Sequence, residues 1–412
     1  MTGRTIGSLR SGPLAAVDDN GAVAAAELSL DWWVGADDRW HVPAHDNTTR
    51  QQRLGPAPVL ETVVQVPGGD VAHRSYGAAA TSGAVTVVEV ENRSPAPLTV
   101  ALVVQVARRA AIAVDGRAVR VDGKPVLVVS RPPGAWAAGS STAECVMGGT
   151  AQTGPVGALE APIEIALCFP VPHHTRLRAA VGDACDAGRS TPIDVRDLPG
   201  PDVVVRGWER QLERGLQALL PAPIGELVDA ARADLLLAPR HEPAVVSALE
   251  DWGFDDEAAT GWAGLGWRAR RRARQRHDDR EPWMSLCSTD GARDPVRFLH
   301  ALRAVLVREG RGSVELLPGF APEWLGQSVT VDALPLRAGP LSFALRWHGA
   351  RPALLWDAPP GVELRTPALD PAWSGTVRSG DALLAEPPSS LVPMGTHERS
   401  AGDAVDAPGQ FS

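Results

Sequence analysis

The chain has 412 residues, of which 44% are apolar and 22% charged, with a net charge of −9. That is an ordinary globular composition, and a chain of this length can bury several cores without disulfides or metal. The acidic balance argues against nucleic acid as the main partner, and no run of about 18 apolar residues exists to span a membrane.

Residues 1–200 read as β. The runs "VLETVVQV", "AVTVVEVE", "LTVALVVQV", "AIAVDGRAVRV" and "IEIALCF" are short, rich in Val and separated by Gly, Pro, Asn and Asp. Strands with turn signals every ten or so residues predict an antiparallel sandwich. In Leu60–Val66 the positions Leu60, Thr62, Val64 and Val66 alternate with Glu61, Val63 and Gln65, so one face is drier. Asp115-Gly116 is the expected turn pair of a hairpin.

Near residue 200 the periodicity changes. "RGWERQLERGLQALL", "PAPIGELVDAARADLLLAP", "EPAVVSALEDW" and "DDEAATGWAGLGWRARRRARQRH" read as helices. "RDPVRFLHALRAVLVREG" is predicted to start at Asp294 as N-cap with Pro295 at the first helical position, and to stop at Gly310. From 313 β returns in "SVELLPGF", "SVTVDALPL", "LSFALRWHG", "RPALLWDAP" and "GVELRTPAL". The expectation is an α+β multidomain chain: an N-terminal antiparallel β-sandwich (1–200), a central reduced α-helical domain (201–312), a small C-terminal antiparallel β-unit (313–386) and a disordered tail (387–412).

Cys145, Cys168, Cys185 and Cys287 form no CxxC and no zinc-ligand spacing with histidine. Isolated thiols suit a reducing compartment, and the N-terminus lacks the apolar stretch of a secretion signal. A cytoplasmic protein without metal or cofactor is expected. GxGxxG, P-loop, GxSxG and HExxH motifs are absent.

The stretch Val314–Asp357, "VELLPGFAPEWLGQSVTVDALPLRAGPLSFALRWHGARPALLWD", resembles the segment that follows the last barrel helix in the six-hairpin glycosidase superfamily, with its glucoamylase-like and glycoside-phosphorylase-like members. "DWWVGADDRWHVP" (Asp31–Pro43) and "VLETVVQVPGGDVAHRSYG" (Val59–Gly77) are similar in style to the leading sandwich of those enzymes. The resemblance implies a carbohydrate-related function. Such barrels use twelve helices, whereas residues 202–310 hold space for about five or six. A ring enclosing a substrate is therefore not expected, and no position matches a catalytic motif of the family.

Three groups carry candidate chemistry. In Asp31–Pro43, Trp32, Trp33 or Trp40 would stack on sugar faces while Asp37, Asp38 and Arg39 bond hydroxyls. Alternatively, Trp32 and Trp33 point to opposite faces of a strand and are core. In "LEDWGFDDEAATGW", Glu250 and Asp251 beside Trp252 and Trp262 offer carboxylates for glycoside hydrolysis, which needs two about 5–10 Å apart. Asp255, Asp256 and Glu257 also fit the first turn of a helix, favoured by its dipole. In "EPWMSLCSTDGARDP", Trp283 and Asp290 add a further stacking ring and carboxylate, and Cys287 would need a histidine base such as His277 or His300.

The arginine-rich Arg268–Arg276 run would serve an acidic partner or a subunit contact, or be a solvated face. His173-His174 is a weak metal pair. The leading expectation is a carbohydrate-associated protein that binds a glycan or glycosylated substrate, or supports a partner enzyme, and is not itself catalytic. Trp33, Asp37, Asp38, Arg39, Trp40, Trp252 and Trp283 would form its contacts. The alternatives are an atypical glycosidase using Glu250, Asp251 and Asp290, and a scaffold with a protein partner or a homo-oligomer.

Overall fold

The computed structural model describes residues 3–25, 28–81, 83–106, 110–139, 141–154, 156–160, 164–182, 185, 193–275, 294–389 and 391. Cys287, His277, Trp283, Asp290 and Arg276, and most of the expected tail, lie outside them.

The chain is mostly β, with 44% of residues in strands and 23% helical, which corrects the expected α+β class. Four sheets, almost wholly antiparallel, are present among the described residues. The six α-helices there are α1 (Thr142–Met147), α2 (Pro201–Leu212), α3 (Ile224–Leu237), α4 (Pro243–Asp251), α5 (Asp255–Gln275) and α6 (Pro295–Leu306). Two segments expected to be helical are strands. Gln217–Leu219 pairs with Val329–Leu336, and Val307–Glu309 pairs with Ser313–Leu316. A partner strand, distant in sequence for Gln217–Leu219 and adjacent for Val307–Glu309, satisfies their backbone groups, and that overrides local propensity.

Described residues of Met1–Gly215, Glu226–Asp278 and Ala292–Leu299 form one compact unit. In it an eight-stranded and a nine-stranded sheet share one core, so the sandwich description fits this unit only. Ile6, Leu30, Trp32, Val34, Leu102 and Phe169 line the core from the first sheet, and Leu60, Val64, Val71, Val90 and Leu177 from the second. The alternation read in Leu60–Val66 holds, with Leu60, Val64 and Val66 in the core. The hairpin at Asp115 forms one residue later than expected. Asp115 pairs with Ala118, so Gly116 and Arg117 make the turn and Gly116 takes the positive φ of 56°.

The strand register creates two buried features. On the core face, His73 of strand Gly69–Ala80 stacks on Trp32, ring centroids 4.8 Å apart and 17° from parallel. Burial pushes the His73 imidazole down to about 3, and its Nδ1 has no hydrogen-bond partner among the described residues. On the opposite face, Glu61, Arg74, Glu89 and Arg178 are direct cross-strand neighbours in four successive strands. Arg74 donates to Glu61 (2.8 Å), Glu89 (3.0 Å) and Glu91 (2.8 Å). Arg93 and Arg176 complete the lattice through Glu61 and Glu91.

The second unit comprises described residues of Leu216–Gly225 and His300–Ser412. It contains a five-stranded and a four-stranded sheet. His348 pairs with Arg351 across Gly349-Ala350, as the sequence indicated. Trp356 packs edge-on against Trp373 at 5.3 Å. A Cβ at Gly380 would lie 2.9 Å from the Trp356 ring, so glycine there lets the indole sit flat on the sheet.

Candidate functional site

Strand Leu28–Gly35 lies against Leu98–Val106, with Trp32 opposite Leu102 and Trp33 opposite Ala101. Side chains alternate, so Trp32 enters the sandwich core and Trp33 the other face. There Trp33 packs with Ala101, Ala137, Val146, Ala166 and Cys168 under α1, and is 6% exposed. Its Nε1 donates to Asp31 at 3.3 Å. Burial raises the Asp31 pKa, outweighing that bond and one from the Trp32 amide.

The strand turns back beyond Gly35. Trp40 pairs with Gly35 and His41 with Val34. A Cβ on Gly35 would sit 3.0 Å from the Trp40 ring, so glycine lets the indole lie on the backbone. Asp37, Asp38 and Arg39 are exposed at the tip, Trp40 is half-buried, and His41 is buried. His41 Nδ1 is 2.8 Å from Asp46 Oδ2 and its Nε2 is 3.1 Å from Asp38 Oδ1. Arg39 donates to Asp46 at 2.9 Å, and Thr48 donates to the other Asp46 oxygen through both hydroxyl (2.7 Å) and amide (2.9 Å). Burial opposes ionisation of Asp46, but the bonds from Thr48, His41 and Arg39 outweigh it and hold the carboxyl far below its usual range. The two carboxylates hold the His41 ring from both sides. The network ties the exposed tip to the following 3-10 turn, Pro43–His45, and fixes where Asp38 and Arg39 stand.

The helical carboxylates are arranged otherwise. Glu250 accepts from Trp262 Nε1 at 3.1 Å and from Arg270 at 2.6 Å. Each of its two oxygens thus has a donor. Asp251, next in sequence, is half-buried at the end of α4. Asp255, Asp256 and Glu257 occupy the first turn of α5, where Glu257 accepts from Gln211 and Asp256 pairs with Arg214. Trp252 is 0% exposed, and its Nε1 donates to the Leu299 carbonyl at 3.1 Å. It is a core residue, so Trp252→Ala is expected to lower unfolding stability by about 3–5 kcal/mol in urea titrations; a cost below about 1 kcal/mol would contradict its place in the packing.

In α5 the backbone breaks at Gly266 (φ 76°, ψ 167°), and Trp267 just beyond is 68% exposed with the Arg268 guanidinium 5.5 Å from its ring. The His173 and His174 rings lie 3.6 Å apart, tilted by 41°, but His173 Nδ1 is occupied by the Ser94 carbonyl. Among the described residues no group of three metal-ligating side chains occurs. No helix there is long and apolar enough to cross a membrane.

Of the residues singled out from sequence, Asp37, Asp38, Arg39 and Trp40 come together, while Trp33, Trp252 and Glu250 are separately engaged. His41, Asp46 and Thr48 were not anticipated, although their polar cluster directly follows Trp40. No protein-family model matches this chain. Nor does any curated protein.

Proposed function

We propose that the chain is a cytoplasmic, carbohydrate-associated protein related to the six-hairpin glycosidases, which binds or presents a glycan and does not hydrolyse it. The contact is the hairpin tip formed by Asp37, Asp38, Arg39 and Trp40. The observation that carries this reading is the pairing of a half-buried indole with exposed carboxylates and a guanidinium on a braced turn. An indole offers a wide apolar face to sugar C–H groups, and flanking charged groups bond the hydroxyls. Bracing by His41 and Asp46 lowers the ordering cost of binding. Trp33 and Trp252 are interior, so the reading narrows to Trp40. The non-catalytic assignment rests on the five helices described between Pro201 and Leu306, fewer than half of the twelve that a closed double ring uses.

Tryptophan-fluorescence titration with a saccharide panel tests this. Wild type is expected to give a saturable signal, and Trp40→Ala to weaken it at least about tenfold, roughly 1.4 kcal/mol. Trp267→Ala leaves it unchanged. Wild type without saturable response to any saccharide removes the glycan reading and favours assembly instead. For assembly the specific observation is three exposed leucines on one face of the five-stranded sheet, Leu219 and Leu355 in one cross-strand row with half-buried Thr330 and Ala344 between them, and Leu383 in the next row.

A further inference from the structure

The five-stranded sheet of the second unit buries one face, with Val331, Phe343, Leu345 and Leu354, and leaves the other open. On the open face the register sets two cross-strand rows. Leu219, Thr330, Ala344, Leu355 and Asp381 make the first, and Arg346, Ala353 and Leu383 the second. Leu219 is 73%, Leu355 45% and Leu383 51% exposed, an apolar surface that association would remove from water.

The charges on this face point to what covers it. Arg351 donates to the Leu383 and Leu384 carbonyls, Asp357 faces Arg378 at 3.6 Å, and Asp332 accepts from the Ser342 hydroxyl. Arg346 and Asp381 are exposed and enter no ion pair among the described residues. They stand diagonally on either side of strand Arg351–Asp357, about 10 Å apart across the sheet. The midpoint between them falls at Ala353 and Leu355, so an apolar centre lies halfway between one positive and one negative group. A two-fold axis lying in the face and passing through that midpoint exchanges the two positions. Each Arg346 then meets the partner's Asp381, with Leu355, Ala353 and Leu383 of both copies between the two ion pairs. That is the self-complementary pattern of an isologous dimer.

We propose that this face is a homodimer interface, covered by a second copy of the chain. The inference rests on the leucine face named above for assembly and is independent of glycan binding at Trp40. The face spans four strand spacings, about 19 Å, which places it at the small end of specific interfaces and the dissociation constant in the micromolar range.

Sedimentation velocity of the full chain without saccharide, from about 1 to 500 μM in low salt, tests it. Wild type is expected to pass from monomer to dimer within that range. Leu355→Asp puts a charge at the axis and holds the chain monomeric throughout, with an unchanged Tm at the lowest concentration. Arg346→Asp and Asp381→Arg each bring like charges together and weaken the dimer at least about tenfold, whereas the double variant restores opposite charges and recovers it to within about threefold. Trp40→Ala leaves self-association unchanged, so this outcome is separate from that of the saccharide titration. A wild type that is monomeric at every concentration overturns the proposal and leaves the face to a different protein. So does a dimer that persists in Leu355→Asp, or a double variant as weak as the single ones.

Discussion

Acidification from pH 7 to pH 5 is expected to cost about 2 kcal/mol of folding stability through His73 alone. The imidazole is fully enclosed against Trp32 and is pushed down to about 3, whereas in the unfolded chain it takes up a proton near 6.5. Below 6.5 the unfolded state therefore binds more protons than the folded one. The stability contributed by neutral His73 is whole above pH 6.5 and lost progressively as the pH falls toward 3. In Tm this is a fall of roughly 4–8 °C between pH 7 and pH 5. His73→Phe keeps a ring against Trp32 and removes the titration, so its Tm should be nearly flat over that interval. A wild type equally stable at pH 7 and pH 5 would show that the imidazole is reached by water.

Replacing Arg74 by Met is expected to destabilise the protein by about 3–5 kcal/mol at pH 7, a large part of the roughly 5–15 kcal/mol that holds a domain folded. The guanidinium serves three carboxylates, of which Glu89 is 0% and Glu61 6% exposed. Removing it leaves buried negative charges in place with fewer partners. Burial alone would raise the Glu61 and Glu91 pKa values, but Arg93 and Arg74 at Glu61, and Arg74, Arg93 and Arg176 at Glu91, outweigh it and lower both. Their depressed values mean that this contribution is present above about pH 4.5 and lost as the pH falls further. The difference between wild type and Arg74→Met should accordingly narrow in urea unfolding at pH 4 compared with pH 7. A loss under about 1 kcal/mol at pH 7 would mean that solvent screens the lattice as it does surface pairs.

Local patterns were legible. The alternation in Leu60–Val66, the opposite faces of Trp32 and Trp33, and the turn at Gly349-Ala350 follow from a period of two and from glycine's tolerance of positive φ. The start of α6 was legible too, since Asp294 caps the Arg297 amide at 3.0 Å ahead of Pro295. Its end was not. The helix stops at Leu306 because Val307–Glu309 pairs with Ser313–Leu316, a demand invisible in the Leu and Val spacing that continues through it. The same failure at Gln217–Leu219 inflated the helical content and with it the α+β assignment. At the candidate site, residue types at the tip were legible, but the bracing by Asp46 and Thr48 depends on how the chain turns after His41.

Taken alone, the amino-acid order determined where most strands and helices begin and which faces are apolar, because each of these depends on neighbours within a few positions. Tertiary structure decided everything that depends on register between distant segments: that Arg74 meets Glu61, Glu89 and Glu91, and that Trp252 is enclosed. A one-residue slip in pairing turns every side chain of a strand to the opposite face, so charge partnership and burial are properties of the assembled sheets and cannot be read from any one strand.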